Sequence, residues 1–302
     1  MAKIGAELTQ VYSRLRNNLD NVATLYKLPP AILPFAKWGL HEISSHLSYG
    51  KGDMPQGVGI ETISVCNRAC TYCSISKSEF RASRENPSMS MDLYKKIVSD
   101  LSEAPRVLGG KGYNGNLFLF AFGEPTLDKL MPERVKIARE GLPEANIQIF
   151  SNGDRLNAEN LRAYIEAGVN RVFVTPHDKD IPKPPHIDEL LEDEEFAKVL
   201  VLGQPLQYFV NRAGTVDGIA KKDAIYPEKR CISNTYVTYI SSDGKMSMCA
   251  HDAYLEAEQG NLKNDNFWQI WDKNKEVRSA LRKGDWEKTP EICTKCRTHF
   301  DE

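Results

Sequence analysis

The sequence predicts an α/β fold: a parallel sheet with helices outside it, a helical extension in front and a small α+β domain behind. Three observations carry this. From Gly50 to about residue 215, strand-like and helical segments alternate in repeated β–α units, which imply a parallel sheet. Ahead of them the apolar spacing is helical. Beyond about residue 216 the alternation stops, and a hairpin, a long helix and a cysteine knuckle follow. At 302 residues the chain has room for one large unit and a small one. The boundaries expected are 1–55 for the helical extension, 56–215 for the β–α series and 216–302 for the small domain.

Each element follows from local chemistry. Leu8, Val11, Tyr12, Leu15, Leu19 and Val22 recur at helical spacing until Pro29 and Pro30 stop the helix. A second helix is expected to offer Leu33, Trp38, Leu40, Ile43 and Leu47 as its apolar face. GIETISV reads as a strand running into Cys66, and MDLYKKIVSDLSE as an amphipathic helix. NLFLFAF is a strand that ends at the turn Gly123-Glu124-Pro125. LMPERVKIAREGL is a helix, IQIFSN a strand, AENLRAYIEAG a helix closed by Gly168, and RVFVTP a strand. The Pro-rich acidic stretch 180–195 gives a loop and a short helix, and VLVLGQPLQYFVNRAG ends the series. YVTYISSDGKMSMC is a hairpin around Asp243-Gly244, NFWQIWDKNKEVRSALRKG one long helix, and EICTKC a terminal knuckle. Parallel β/α barrels place their chemistry at the C-terminal ends of the strands. Here those ends carry Cys66, Gly123 to Pro125, Ser151, Asn152, and Thr175 to His177.

Composition narrows the class. With 41% hydrophobic and 26% charged residues the chain is an ordinary soluble globular protein, and a net charge of -2 gives no basic field for nucleic acid or an anionic membrane. No apolar run approaches the roughly 20 residues that span a bilayer, and no signal-peptide pattern is present, so a cytoplasmic protein is expected. The seven cysteines form two groups: Cys66, Cys70 and Cys73, then Cys231, Cys249, Cys293 and Cys296. An odd count in a reducing compartment argues against a disulfide framework, and the clustering argues for metal ligands.

The first group has three thiols where a tetrahedral zinc site needs four ligands, and the next Cys or His is the distant His177. An iron–sulfur cube accounts for the number, because three thiolates leave one of its irons open. The C-x3-C-x2-C loop just after the first strand resembles the signature of the radical S-adenosylmethionine (radical SAM) superfamily. That resemblance implies a partial (β/α)6 TIM-type barrel. It also implies a [4Fe–4S] cluster on Cys66, Cys70 and Cys73 whose open iron chelates SAM, which is cleaved reductively to a 5′-deoxyadenosyl radical. Residue by residue, it places Tyr72 near the adenine. FGEP, Phe122 to Pro125, resembles the family's GGEP turn, so Gly123, Glu124 and Pro125 would bind the SAM ammonium, with Phe122 in place of the first glycine. Ser151 and Asn152 would contact the ribose. A flavodoxin- or ferredoxin-type reductant is implied as partner.

Four late thiolates could close a structural zinc site or hold one cluster. Zinc pairs usually come as two CxxC knuckles, whereas Cys231 and Cys249 lie far apart. Cys231, Asp243-Gly244-Lys245, Cys249 to Asp252, Gly260-Asn261, Phe267 to Trp271 and Cys293 to Cys296 instead resemble, in order, the SPASM/twitch extension of radical SAM enzymes. This implies a fully ligated auxiliary [4Fe–4S] cluster, suited to electron transfer. The short extension is most similar to that of radical SAM dehydrogenases of aminocyclitols. The implied reaction is oxidation of a secondary alcohol of a sugar or aminocyclitol, with the auxiliary cluster as electron acceptor. Ala250 stands where related epimerases carry a hydrogen-donating Cys. NRAG, Asn211 to Gly214, resembles an NR-x-G element that sets an Arg beside the substrate; Arg212 is the candidate, for binding more than for proton transfer. His177, and after it His251, are the candidate bases. Two other classes fit the same architecture: a peptide-modifying enzyme that epimerises or crosslinks, and a redox-neutral epimerase or dehydratase of a small molecule. A non-catalytic iron–sulfur or zinc protein is the remote alternative.

Overall fold

The computed structural model of the chain describes residues 33–107, 109–176, 183–203, 212–216, 231 and 235–293. After helix α1 (Leu33–Tyr49), strand β1 (Gly57–Ile60) opens the β–α series. It continues through α2 (Ser78–Ala82), α3 (Met91–Ser102), β2 (Asn116–Phe118), α4 (Met131–Gly141), β3 (Asn146–Ser151) and α5 (Ala158–Ala167). It ends with β4 (Arg171–Val174), α6 (His186–Glu192), α7 (Glu194–Ala197) and β5 (Leu200–Leu202). The rest is β6 (Val237–Ile240), β7 (Lys245–Ser247), β8 (Glu258–Asn261), α8 (Phe267–Lys273) and α9 (Lys275–Lys283). All strands among the described residues join one sheet in the order β5-β4-β3-β2-β1-β6-β7-β8. β1 to β5 are parallel, β6 adds to β1 in parallel, and β7 and β8 continue antiparallel. The parallel α/β core expected of a partial barrel is thus present; of the stretch VLVLGQPLQYFVNRAG expected to end the series, residues 204–211 lie outside the described residues.

Strand alternation divides the sheet into two faces. Val58, Ile60, Leu117, Leu119, Ile147, Ile149, Val172 and Val174 are fully buried against Leu93, Ile97 and Leu101 of α3, Val135 of α4, and Leu161 and Tyr164 of α5. Each such side chain contributes about 1.5–3 kcal/mol, so this outer layer holds the fold. The other face presents Gly57 and Gly59 of β1, Asn116 and Phe118 of β2, Gln148 and Phe150 of β3, Phe173 of β4 and Tyr239 of β6. An added Cβ at Gly57 would lie 2.5 Å from the Phe118 ring, and one at Gly59 would lie 2.4 Å from Tyr239. The bare β1 backbone lets rings from both neighbouring strands fold over it. Phe120 and Tyr239 approach to 6.5 Å across it, so this face is concave. One end is closed by amides, Asn146 Nδ2 donating to Asn116 Oδ1 at 2.9 Å.

Three expectations are corrected. The strand read in GIETISV ends at Ile60; beyond it Ile63 makes only a bridge to Ser88. The apolar face expected for α1 is not the packed one: Ile43 and Leu47 are 60% and 48% exposed, while Ser44, Ser45 and Ser48 are buried. The buried side is held by polar contacts, His41 Nε2 to the Met54 carbonyl at 2.8 Å, the Tyr49 hydroxyl to Asn114, and Val107 N–H to the Ser48 carbonyl. The helix expected over 266–284 is two, broken at Asn274. There the side-chain amide donates to the Ile270 and Gln259 carbonyls, competing with the helical ladder. No helix among the described residues is long and apolar enough to cross a membrane.

Candidate active site

A cavity of about 340 Å³ opens on the concave face at the C-terminal ends of the strands. It collects nearly every described residue the sequence marks at the first site: Cys66, Cys70, Cys73, Tyr72, Gly123, Glu124, Ser151, Asn152, Thr175 and Arg212. Pro125 sits just behind, buried at the start of the 3-10 turn Pro125–Leu127. His177 and Cys296 lie outside the described residues.

The thiol loop is folded by its own backbone, with Cys73 N–H donating to the Cys70 carbonyl at 3.0 Å. Cys66 Sγ accepts from the Arg68 N–H at 3.4 Å and from Asn152 Nδ2 at 3.9 Å. Burial pushes the Cys66 thiol above its ordinary range, so a bound cation is what would hold it as thiolate. Among the described residues no three His, Cys, Asp or Glu side chains converge to hold a single metal ion. All three thiols line the cavity, and three thiolates are the donor set that a cluster with one open iron would use. Asp154 ties the loop to the end of β3, accepting from Arg68 Nε at 2.8 Å and from Asn67 Nδ2 at 2.7 Å.

Glu124 is 3% exposed. Its Oε1 accepts from Ser151 Oγ at 2.7 Å, Thr126 Oγ1 at 2.7 Å and Thr126 N–H at 3.0 Å, and its Oε2 from Asn152 N–H at 2.8 Å. Four donors orient the carboxylate, yet it has no ion-pair partner among the described residues. A buried anion with neutral donors and no cation is prepared for an incoming cation, and the ammonium of SAM fits it. Gly123 makes the turn possible: a Cβ there would stand 1.8 Å from the Ile63 carbonyl oxygen. The close approach lets Glu124 N–H reach the Val65 carbonyl at 2.9 Å. Phe122, the departure from the family pattern, packs on Phe80 with ring centroids 5.3 Å apart. The Ser151–Asn152 pair holds Glu124 in place.

Arg212, Ala213 and Gly214 all take positive φ, at 46°, 55° and 81°. Two non-glycine residues there are strained. Contacts hold the turn: Arg212 Nε donates to the Tyr72 carbonyl at 2.8 Å, and Thr215 Oγ1 lies 2.8 Å from Ser74 Oγ. Ala213 is buried in a second apolar cluster with Met248, Ala257, Leu281 and Ile292, against which Cys231, Cys249 and Cys293 pack. Cys249 Sγ accepts the His251 N–H at 3.3 Å, the sulfur contact expected of a cluster ligand. Ala250, next to Cys249, lines the cavity. Burial, then the charge of Arg212, lowers the His251 imidazole to about 4, so it is neutral near pH 7.

The sequence reading missed Arg68, Phe120, Phe150 and Tyr239 on the cavity wall. The rings carry one signal, period-two placement on the inner face of their strands.

Comparison with known proteins agrees with this geometry. The family model described as "Radical SAM superfamily" matches residues 60–178, and that described as "Iron-sulfur cluster-binding domain" matches residues 231–297. The S-adenosyl-L-methionine-dependent 2-deoxy-scyllo-inosamine dehydrogenase of Niallia circulans is 27% identical over 241 residues, covering 79% of this chain and 91% of the relative. The crystal structure of BtrN in complex with AdoMet and 2-DOIA superimposes with a TM-score of 0.66 at 25% identity, covering 81% of this chain and 92% of BtrN. Streptococcus suis SuiB bound to precursor peptide SuiA shares the fold, with a TM-score of 0.53 at 10% identity over 79% of this chain and 69% of SuiB.

Proposed function

The chain belongs to the radical SAM superfamily, in the branch that carries the SPASM iron–sulfur extension, and on that premise we propose that it oxidises a secondary alcohol of a small cyclic substrate, a sugar or aminocyclitol, to the ketone. When bound, SAM and a [4Fe–4S] cluster on Cys66, Cys70 and Cys73 supply a hydrogen-abstracting radical, and an auxiliary cluster on Cys231, Cys249, Cys293 and Cys296 supplies an electron acceptor. The observation that carries the reading is the shared cavity. The first thiol set and Ala250, which adjoins Cys249, line the same cavity.

The chain's own residues prepare that space. Glu124 receives the SAM ammonium, and Ser151, Asn152 and Thr126 fix its carboxylate beforehand. Tyr72 is buried and lines the cavity with the thiols, where it would pack on the adenine of bound SAM. Arg212 is held by Tyr72 and presents its guanidinium to the substrate; a guanidinium binds and orients but does not take a proton. We assign acceptance of the alcohol proton to His177. Phe120, Phe150 and Tyr239 exclude water from the reacting face. The domain division at residues 55 and 215, a cytoplasmic setting and a flavodoxin- or ferredoxin-type reductant belong to the same reading.

The test is anaerobic incubation of the enzyme with SAM, dithionite and a panel of sugars and aminocyclitols, following 5′-deoxyadenosine and ketone together. A substrate should raise both in equal amounts. Cys293→Ala should still release 5′-deoxyadenosine but lose the ketone. Full ketone yield in that variant would remove the electron-accepting role of the second thiol set.

A further inference from the structure

We propose that Arg68 tunes the first iron–sulfur site: its guanidinium, clamped by Asp154 with one nitrogen left over, stabilises the reduced form of a cluster on Cys66, Cys70 and Cys73 and so sets how readily that cluster takes up its electron. This rests on the cluster reading of the three thiols, and not on which alcohol is oxidised.

Position is the first argument. Arg68 is the one charged residue between Cys66 and Cys73. It lines the cavity together with all three thiols, and its side chain is only 13% exposed. Its backbone N–H donates to Cys66 Sγ at 3.4 Å. Its side chain is close enough for charge to act between it and Cys70. One residue thus bears on two of the three sulfurs, through a hydrogen bond to one and through charge on the other. Hydrogen bonds to the sulfurs and nearby charge are what set the potential of an iron–sulfur cluster.

The clamp is the second argument. Nε and Nη2 both bind the Asp154 carboxylate, Nε at 2.8 Å. Asn67 Nδ2 holds the same carboxylate at 2.7 Å, and the Asp154 N–H donates to Asn152 Oδ1 at 2.9 Å. The guanidinium is therefore fixed in place rather than left to swing into solvent. Asp154 is not among the lining residues, so the pair turns its cationic end to the cavity. Nη1, on the edge away from Asp154, is buried and has no hydrogen-bond partner among the described residues. A buried N–H group left unmatched is costly and calls for a reason. Charge supplies one. Three thiolates make a bound cluster anionic, and one electron from an external reductant adds a further negative charge. A fixed, buried cation favours the more negative form. The carboxylate of SAM is the competing anion. The seat of Arg68 inside the thiol loop, with its own N–H on Cys66 Sγ, favours the cluster.

The test is an anaerobic potentiometric titration of the holoenzyme without SAM, followed by EPR, with every variant compared at equal iron content. The first cluster's signal is the one missing when Cys66, Cys70 and Cys73 are all replaced by Ala. Arg68→Met should cut its reduced-to-oxidised ratio at a fixed potential about tenfold, about 59 mV for one electron. The auxiliary cluster's ratio should stay within about twofold, because it lies on the other cysteine set. Arg68→Lys keeps the charge without the fork and should stay within about threefold of wild type. Asp154→Asn removes the counter-charge but leaves the guanidinium, and should not lower the ratio. An unchanged ratio in Arg68→Met would overturn the proposal. So would an equal fall in Asp154→Asn, which would show that the pair merely holds the loop. If Arg68→Met takes up no iron, the Lys and Asn variants decide, and a fall of about tenfold in either overturns the proposal. An unmoved ratio with the SAM Kd weakened about tenfold or more would give the arginine to the SAM carboxylate instead. Absence of any signal that depends on the three thiols would overturn the cluster reading itself, which an unmoved ratio leaves standing.

Discussion

Replacing Glu124 with Gln tests the proposed SAM-binding role of this wall most directly. The carboxylate accepts four hydrogen bonds, three on Oε1 and one on Oε2. Gln can keep the three by placing its carbonyl at the Oε1 position. Its NH2 group then faces the Asn152 N–H, donor against donor, which costs the folded state about 1–3 kcal/mol. The larger loss is functional. A hydrogen bond to a charged group contributes about 1.5–3 kcal/mol, so losing the carboxylate–ammonium contact should weaken SAM binding about 10- to 150-fold. The assay is SAM titration of the reduced enzyme, followed through the change in the cluster's EPR signal, with thermal unfolding in parallel. Ser151→Ala removes one of the three donors to Oε1. It should cost about 1 kcal/mol, about fivefold in Kd, by letting the carboxylate wander. If Glu124→Gln melts lower yet binds SAM within about twofold of wild type, the carboxylate merely pins the turn and the ammonium assignment is wrong.

The remaining predictions probe the metal content, the ring wall and the frame. Iron per chain should fall from about eight to about four when Cys66, Cys70 and Cys73 are all replaced by Ala; about four falling to none, with zinc retained, would refute a second cluster. Gly59→Ala puts a Cβ 2.4 Å from the Tyr239 ring. It should raise substrate KM severalfold and leave the SAM Kd within about twofold; equal loss of both would mean that β1 itself has shifted. Arg84→Met leaves Glu61, 1% exposed, without the guanidinium 3.0 Å away. Anaerobic denaturant unfolding should show a loss of about 3–5 kcal/mol, and less when Glu61 is replaced by Leu in the same chain; a loss under about 1 kcal/mol would show the pair to be dispensable.

The parts of this site that were legible in the sequence are those whose chemistry is local. Chelation by a loop constrains neighbouring residues, so the spacing of Cys66, Cys70 and Cys73 stands in the sequence. The strand ends were legible because alternation marks where each strand stops, and they deliver Glu124, Ser151 and Thr175 to one cavity. The rest joins distant residues. Arg68 finds Asp154, and Arg212 finds the Tyr72 carbonyl, across separations of 86 and 140 residues. Neither contact leaves a trace in local pattern. The α1 face misled because spacing predicts burial only where apolar residues are what meets the neighbour. There His41, Ser45 and Tyr49 make polar contacts, and Ile43 and Leu47 are left to solvent.

Gly57 and Gly59 show how near the missing part lay. Alternation with Val58 and Ile60 marks them as one face of β1, and a strand face with no side chains is an anomaly that asks what covers it. Phe118 from β2 is half of the answer, and parity already places Phe118, Phe120, Phe150 and Phe173 on that same side. The other half is Tyr239, whose strand pairs with β1 only after the chain has completed the β–α series and returned. That return puts the second cysteine set, through Ala250, at the wall of the cavity lined by the first. The pairing of β6 with β1 therefore closes the aromatic wall and brings the two cysteine sets toward one cavity. A register slip of one residue in β6 would turn Tyr239 to the outer face. It would also displace the hairpin whose Asp243 accepts the Glu85 and Asn86 N–H groups at 3.0 and 2.9 Å, in the segment that follows the first thiol loop. Substrate wall and electron-acceptor placement thus share one structural determinant, and a variant that disturbs the β1–β6 pairing should lose both together.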